Sequence, residues 1–190
     1  MPLRMKITIL DDKGNVESET NAHSWVKQFL QIALGLWKQS HTGLVNIIPF
    51  NGIYNTSYSY WPGLSLCGLA GDDKKGIVVG VGSSAINPND YMLNALCSNG
   101  YLANMMQYGS MSFIEPLVSG TNIVLQMTRQ ITNVSPGAIT LTEVGLYVYG
   151  QIAYQTQGPV CIARDVLGSP VTVNVGVTKT IMYTITESNV

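Results

Sequence analysis

The sequence predicts a mainly β protein, an antiparallel β-sandwich of jelly-roll-like type with one N-terminal α-helix, in a single domain over 1–190. Three observations carry that expectation. From about residue 101 onward, apolar and β-branched runs alternate with short Gly, Pro and Ser breaks, the signature of a sandwich or barrel. Near the N-terminus a turn-rich "DDKGN" interrupts an alternating run, which signals a hairpin. Only one stretch has clear helical periodicity.

The elements follow in order. In "RMKITILDDKGNVESET" Met5, Ile7 and Ile9 alternate with Lys6, Thr8 and Leu10, and Gly14 supplies the residue free to take positive φ. In "NAHSWVKQFLQIALGLWKQS" Ser24 is placed to cap a helix. Trp25, Phe29, Ile32 and Leu36 follow at helical spacing, widened by Leu30 and Trp37. Hairpin and helix together occupy about 4–38. Such a stripe is read as packing surface.

Residues from about 40 to 75 form a variable, Tyr-rich region. "LVNIIPF" reads as a short strand ended by Pro49. Tyr54, Tyr58, Tyr60 and Trp61 stand among Ser, Asn and Gly, the composition of adaptable contact surfaces, and form the candidate contact loop. A loop that covers a sheet edge has the same composition.

"GIVVGVGSSA" is a strand that enters a glycine turn. Gly80 and Gly82 give a GxG, but no third glycine at dinucleotide spacing and no GK[ST] follows. Beyond it come "YLANMMQYGSMSFIEPLV", "NIVLQMTRQITNV", "ITLTEVGLYVYG", "GPVCIARDVL", "VTVNV" and "TKTIMYTITE". In the last, Ile181, Tyr183 and Ile185 share one face; in "VTVNV", Val171, Val173 and Val175 form the inner one. "CIARDVLGSPVTV" is expected to be two strands joined by a Gly-Ser-Pro corner.

Charge is scarce: 11% of residues, against roughly 25% in typical globular proteins, with ten Lys and Arg opposing eleven Asp and Glu. So few charges on a small chain leave surface suited to other protein, and a homo-oligomer is expected. No basic cluster marks a nucleic-acid footprint. "MPLRMKITIL" is not a secretory signal. The longest apolar run, from Trp25 to Trp37, carries Lys27, Gln28 and Gln31 and falls short of the ~20 residues that span a membrane. Cys67, Cys97 and Cys161 form no ligand pair and are expected to be buried, inert thiols.

Catalytic and metal motifs are missing. His23 and His41 lack partners, there is no HExxH and no GxSxG, and no cofactor, metal or catalytic residue is assigned. Glu115, Glu143, Asp90 and Asp165 have no spacing that favours glycoside hydrolysis. The informative charges lie inside strands: Arg129, Glu143, Arg164 and Asp165. Sequential residues in a strand face opposite ways, so Arg164 and Asp165 should not share a core face. The expected structural ion pair joins Glu143 to Arg164 or Arg129, with the remaining member of the Arg164–Asp165 pair facing outward. Wide separation of those groups would refute it.

Taken together, "HSWVKQFLQIAL", "GIVVGVGSSAINPNDYMLNALCSNG", "TRQITNVSPGAITLTEVGLYVY" and "CIARDVLGSPVTVNVGVTKTIMYTIT" resemble an uncharacterised family of virion structural proteins of tailed bacteriophages, of the tail or capsid-accessory kind. The matching positions are Gly80, Gly82, Asp90, Tyr91, Leu93, Glu143 to Tyr147, Ala163 to Leu167, Pro170 to Val173 and Tyr183 to Thr186; 40–70 fall outside the match. The resemblance implies a non-enzymatic component of a virion assembled in the host cytoplasm. Its partners would be copies of itself and other virion proteins, without cofactor, nucleic acid or membrane span. A glycan- or receptor-binding adhesion module, contacting a host-surface glycan through the Tyr-rich loop, is the alternative.

Overall fold

A computed structural model describes residues 4–22, 25, 45–47, 55–57, 65–120, 122–153 and 156–188. These residues are mainly β, in antiparallel pairings. A five-stranded sheet runs in the order β2 (Val16–Ala22), β1 (Arg4–Leu10), β10 (Thr178–Ser188), β7 (Asn122–Thr132), β6 (Gln107–Ser119). A three-stranded sheet has β8 (Ile139–Ala153) between β5 (Gly76–Gly80) and β9 (Thr156–Val173). β3 (Val45–Ile47) and β4 (Asn55–Ser57) pair on their own.

The larger sheet follows period-2 patterning. Met5, Ile7 and Ile9 of β1 register with Ile185, Tyr183 and Ile181 of β10. Those three continue onto Leu125, Met127 and Arg129 of β7, so one face collects the apolar set. It joins side chains of the smaller sheet in one hydrophobic cluster that includes Ile77, Val79, Val144, Leu146 and Val173. Burying a side chain of that size stabilises by about 1.5–3 kcal/mol each. The smaller sheet reads differently: all of Gly76–Gly80, and Glu143 through Val148, are buried. A strand covered on both faces shows a continuous run instead of alternation.

The hairpin turns at Asp11–Asn15, where the Asp11 carboxylate accepts hydrogen bonds from the Lys13 and Asn15 amides and Gly14 sits at φ +84°. Turn chemistry therefore sets the β1–β2 register, with a bulge between Ile9 and Leu10.

Three expectations need correction. Trp25 does not begin a helix: it forms an antiparallel bridge to Ala163 on the free edge of β9. The rest of the expected helix, 26–38, lies outside the described residues. The Gly-Ser-Pro segment is not a break between strands, because β9 runs on from Thr156 to Val173. The pairing with β8 jumps from Val166 to Val171, so Leu167–Pro170 bulge out of it. There the Gly168 amide donates to Thr20 Oγ1 and Ser18 Oγ donates to the Ser169 carbonyl, which ties β9 to β2. Pro170 lacks an N–H, and an edge bulge tolerates that. Val175 is exposed, not inward, because β9 ends at Val173 and the chain turns there, with Gly176 at positive φ.

Candidate functional site

The sequence singled out strand charges, and the structure brings several of them together. Glu143 (β8) and Arg164 (β9) are both buried. Glu143 pairs with Val166 and Gly145 with Arg164, so the two lie two residues apart along one face. Arg164 Nε donates to Glu143 Oε2 at 2.9 Å, and Arg164 Nη1 donates to Asp90 Oδ2 at 2.7 Å. Nη1 also donates to the Ala85 carbonyl, and Nη2 to the carbonyl and hydroxyl of Ser84. A guanidinium has five N–H groups, and all five directions are used.

The carboxylate of Glu143 is equally occupied. Its Oε1 accepts from the Gly82 amide at 3.1 Å and the Ala95 amide at 2.7 Å. Its Oε2 accepts from the Asn94 amide at 3.1 Å in addition to Arg164. The GxG therefore has a physical role. A Cβ on Gly80 would lie 2.6 Å from Glu143 Oε1, and one on Gly82 would lie 2.6 Å from the Asn94 Cβ and clash with the same carboxylate. These glycines let backbone amides close around an anion, as in a phosphate loop, but the anion is the chain's own side chain.

Burial pulls the pKa of Arg164 down. The hydrogen bonds it donates to Asp90 and Glu143, and their negative charges, outweigh that, so the guanidinium stands above its ordinary value. The cluster clasps residues 82–95 onto β8 and β9. Two phenols extend the clasp. Tyr147 Oη accepts from the Leu93 amide at 2.7 Å, and Tyr108 Oη donates to the Cys97 carbonyl at 2.6 Å. Burial raises the pKa of both, so both stay protonated.

Arg129 does not join this group. Its Nε donates to the Gly109 carbonyl, Nη1 to those of Lys75 and Ile77, and Nη2 to those of Leu69 and Asp72. Its guanidinium carbon lies 4.8 Å from the centre of the Tyr108 ring. Arg129 thus spans from the five-stranded sheet to the edge of the three-stranded one, and burial lowers its pKa. Gly68 is the enabling residue: a Cβ there would sit 3.1 Å from Arg129 Nη2 and overlap the Lys75 carbonyl.

Asp165 does not face outward. It is 1% exposed, as is Arg164, because both faces of β9 are covered at this point. Arg164 meets the 84–95 segment; Asp165 lies on the opposite face, where its charge helps raise the pKa of the fully buried Tyr183, after burial itself. Tyr54, Tyr58, Tyr60 and Trp61, with His23 and His41, lie outside the described residues. Cys97 and Cys161 are buried, but Cys67 is exposed, contrary to expectation.

Sequence reasoning passed over Asp90, Ser84, Tyr108 and Tyr147 as site residues. Asp90 is weighed among the carboxylates and stands among the matching positions, but not as a partner of Arg164, since nothing local shows that a distant arginine will meet it. Among the described residues no group of three or more His, Cys, Asp or Glu side chains is arranged to hold a metal.

The surface adds a second feature. At the far end of the β6–β7 hairpin Phe113, Ile114, Leu117 and Val118 are exposed, Val118 at 80%. Phe113 registers with Met127 and Val118 with Ile123, facing inward, whereas Ile114 and Leu117 register with Gln126 and Val124 on the outer side. β6 is an edge strand, and Pro116 sits in its second bulge. That arrangement blocks a continuous added strand while leaving side chains exposed on both faces. No family model matches this chain, and no curated protein or solved structure matches it either.

Proposed function

We propose that this chain is a non-enzymatic structural component of a phage virion, a tail or capsid-accessory protein that makes contacts between subunits. Two sequence features support the reading: the ordered resemblance from "GIVVGVG" to "YTIT", and the low charge. The observation that carries it is the apolar end of the β6–β7 hairpin. Soluble monomers rarely expose contiguous apolar side chains without a use for them. Between Ser112 and Thr128 the only ionisable residue is Glu115, so two copies could meet here with little like-charge repulsion. The proposed fold is a jelly-roll-like sandwich, with the two antiparallel sheets as its layers and a helix near the N-terminus. Its partners would be copies of itself and other virion proteins, within a virion assembled in the host cytoplasm.

The buried charges support the non-enzymatic reading. Glu143 and Arg164 spend their hydrogen-bonding capacity on the protein itself, so neither has a lone pair or proton ready for a substrate. The test is light scattering on the purified protein and on the Leu117→Asp/Val118→Asp variant. The wild-type protein should be oligomeric at about 10 µM, a concentration typical of moderate interfaces, and the variant should be smaller with unchanged circular dichroism. A wild-type monomer at high concentration would refute the reading.

The second reading is a glycan- or receptor-binding adhesion module. The composition around Tyr54, Tyr58, Tyr60 and Trp61 favours it. Alanine at Tyr60 and Trp61 that abolished attachment to host cells, with oligomeric state unchanged, would select it.

A further inference from the structure

The outer face of the five-stranded sheet has an unusual chemistry. Gln126, Thr128, Gln130 and Thr132 alternate with the inward residues of β7, and they register with Thr184, Met182, Thr180 and Thr178 of β10. None of these eight residues is ionisable. Some are already paired: Thr132 and Thr178 hydroxyls lie 2.8 Å apart, and Gln126 Nε2 donates to Thr184 Oγ1. On β1 and β2 the charges Lys6 and Glu19 neutralise one another at 2.8 Å, which leaves Arg4, in register with Thr186 at the end of β10 away from Thr178.

At the β6 end this face deepens into a groove of about 450 Å³. Asn99, Gln107, Gln130 and Thr132 supply its polar groups, and Gly71 and Gly109 leave its floor open. Gln107 and Gln130 are exposed, and Gln107 registers with Thr132, which places it on the same face. The nearby acids are turned to other uses. Asp72 Oδ1 accepts from the Lys74 amide, and Asp73 Oδ2 accepts from the Asn99 amide.

The chemistry selects the ligand. An anion needs a cation or a set of free amides, and a cation needs carboxylates; the groove's side chains supply neither. A carboxamide offers an acceptor and two donors side by side, matching hydroxyl groups that both donate and accept. An extended peptide would need unpaired main chain, but here the edge of β6 is taken. The Tyr108 carbonyl accepts from the Gly71 amide, and the Tyr108 amide donates to Asn99 Oδ1. The bare floor suits the C–H face of a sugar ring.

We propose that this groove, continued along the Gln and Thr rows of β7 and β10, binds a neutral polysaccharide. The β7 row from Gln126 to Thr132 extends roughly 20 Å, room for several sugar rings in line. Binding is weak, on the order of millimolar per site, because among the described residues no exposed aromatic side chain lines the groove. It gains strength when several copies engage one chain. Of the row, only Gln126, which registers with Ile114, borders the hairpin end; the groove residues Asn99, Gln107, Gln130 and Thr132 lie beyond it, so the groove is tested separately from the readings above.

The test is a nuclear magnetic resonance titration of the labelled full chain with neutral trisaccharides of glucose, galactose and N-acetylglucosamine. At least one should shift the side-chain amides of Gln107 and Gln130 and the backbone amides of Gly71 and Gly109, saturably. The Gln107→Ala/Gln130→Ala variant should retain the wild-type spectrum elsewhere and bind at least tenfold more weakly. Three results would overturn the proposal: no shift in the groove with any sugar, equal binding by the variant, or the same residues responding instead to inorganic phosphate or a neutral pentapeptide.

Discussion

Replacing Glu143 with Gln tests the clasp directly. The side chain keeps its shape, but one oxygen becomes an NH2. That group would point at backbone amides or at Arg164, which are all donors. At least one buried N–H loses its acceptor, at about 1–3 kcal/mol. Arg164 keeps only Asp90 as a charged partner, and breaking a buried pair on one side costs about 3–5 kcal/mol. These terms overlap, so the expected loss is about 4 kcal/mol in urea unfolding, a large share of a stability of about 5–15 kcal/mol. For a chain of this size the melting temperature should fall by about 8–16 °C. Hydrogen exchange supplies the local reading: the Gly82, Asn94 and Ala95 amides should exchange much faster, while those of β1 and β10 change only with global stability. Arg164→Met should cost less, because Glu143 would still hold three amides. The double variant should lose less than the sum of the two. A Glu143→Gln loss below about 1 kcal/mol, or wild-type protection at those three amides, would refute the argument.

Other substitutions probe the remaining supports. Arg129→Lys should destabilise by about 3 kcal/mol or more in the same unfolding assay, since one ammonium cannot reach five carbonyls spread over β6, β5 and the segment that leads into β5. Gly82→Ala should cost about 1–3 kcal/mol, through the clash of its Cβ with Glu143 and Asn94. Native protein should present one thiol to Ellman's reagent at pH 8, Cys67, and three after unfolding. Burial pushes the Cys97 thiol up to about 12 and raises that of Cys161 as well. Hydrogen bonds from Asn15 hold the Asp11 carboxyl below its ordinary 3.8. Its folded pKa is depressed, so its contribution is fully present above pH 3.8 and lost as pH falls through the folded value. The urea midpoints of wild type and Asp11→Asn should differ at pH 6 and converge near pH 2.

The parts legible in the sequence were those governed by local rules. Period-2 alternation placed Ile181 and Tyr183 inward, and "DDKGN" fixed the first turn. Trp25 misled because its apolar neighbours at helical spacing outweighed what no local pattern reveals, a free edge on β9 more than a hundred residues away. Gly-Ser-Pro looked like a corner because the same residues serve in turns and in bulges; the choice was made by β2, whose Ser18 and Thr20 catch the bulge. Strand alternation correctly separated Arg164 from Asp165, yet assumed that one face must be wet. The 84–95 segment, itself without regular strand structure, covers that face. The pairing of Asp90 with Arg164 is hidden for the same reason, since that role exists only once β9 arrives.

The amides of Gly82, Asn94 and Ala95 converge on one oxygen pair that belongs to a removable side chain. Truncating Glu143 to Ala would turn a piece of internal architecture into a receptor. The vacated space would be lined by three N–H donors and a guanidinium, shaped for a small carboxylate. Formate or acetate should then restore in solution what the mutation removed, raising the melting temperature with concentration by mass action. The protein's stability would become a function of the buffer, and this loop would report which anions fit it.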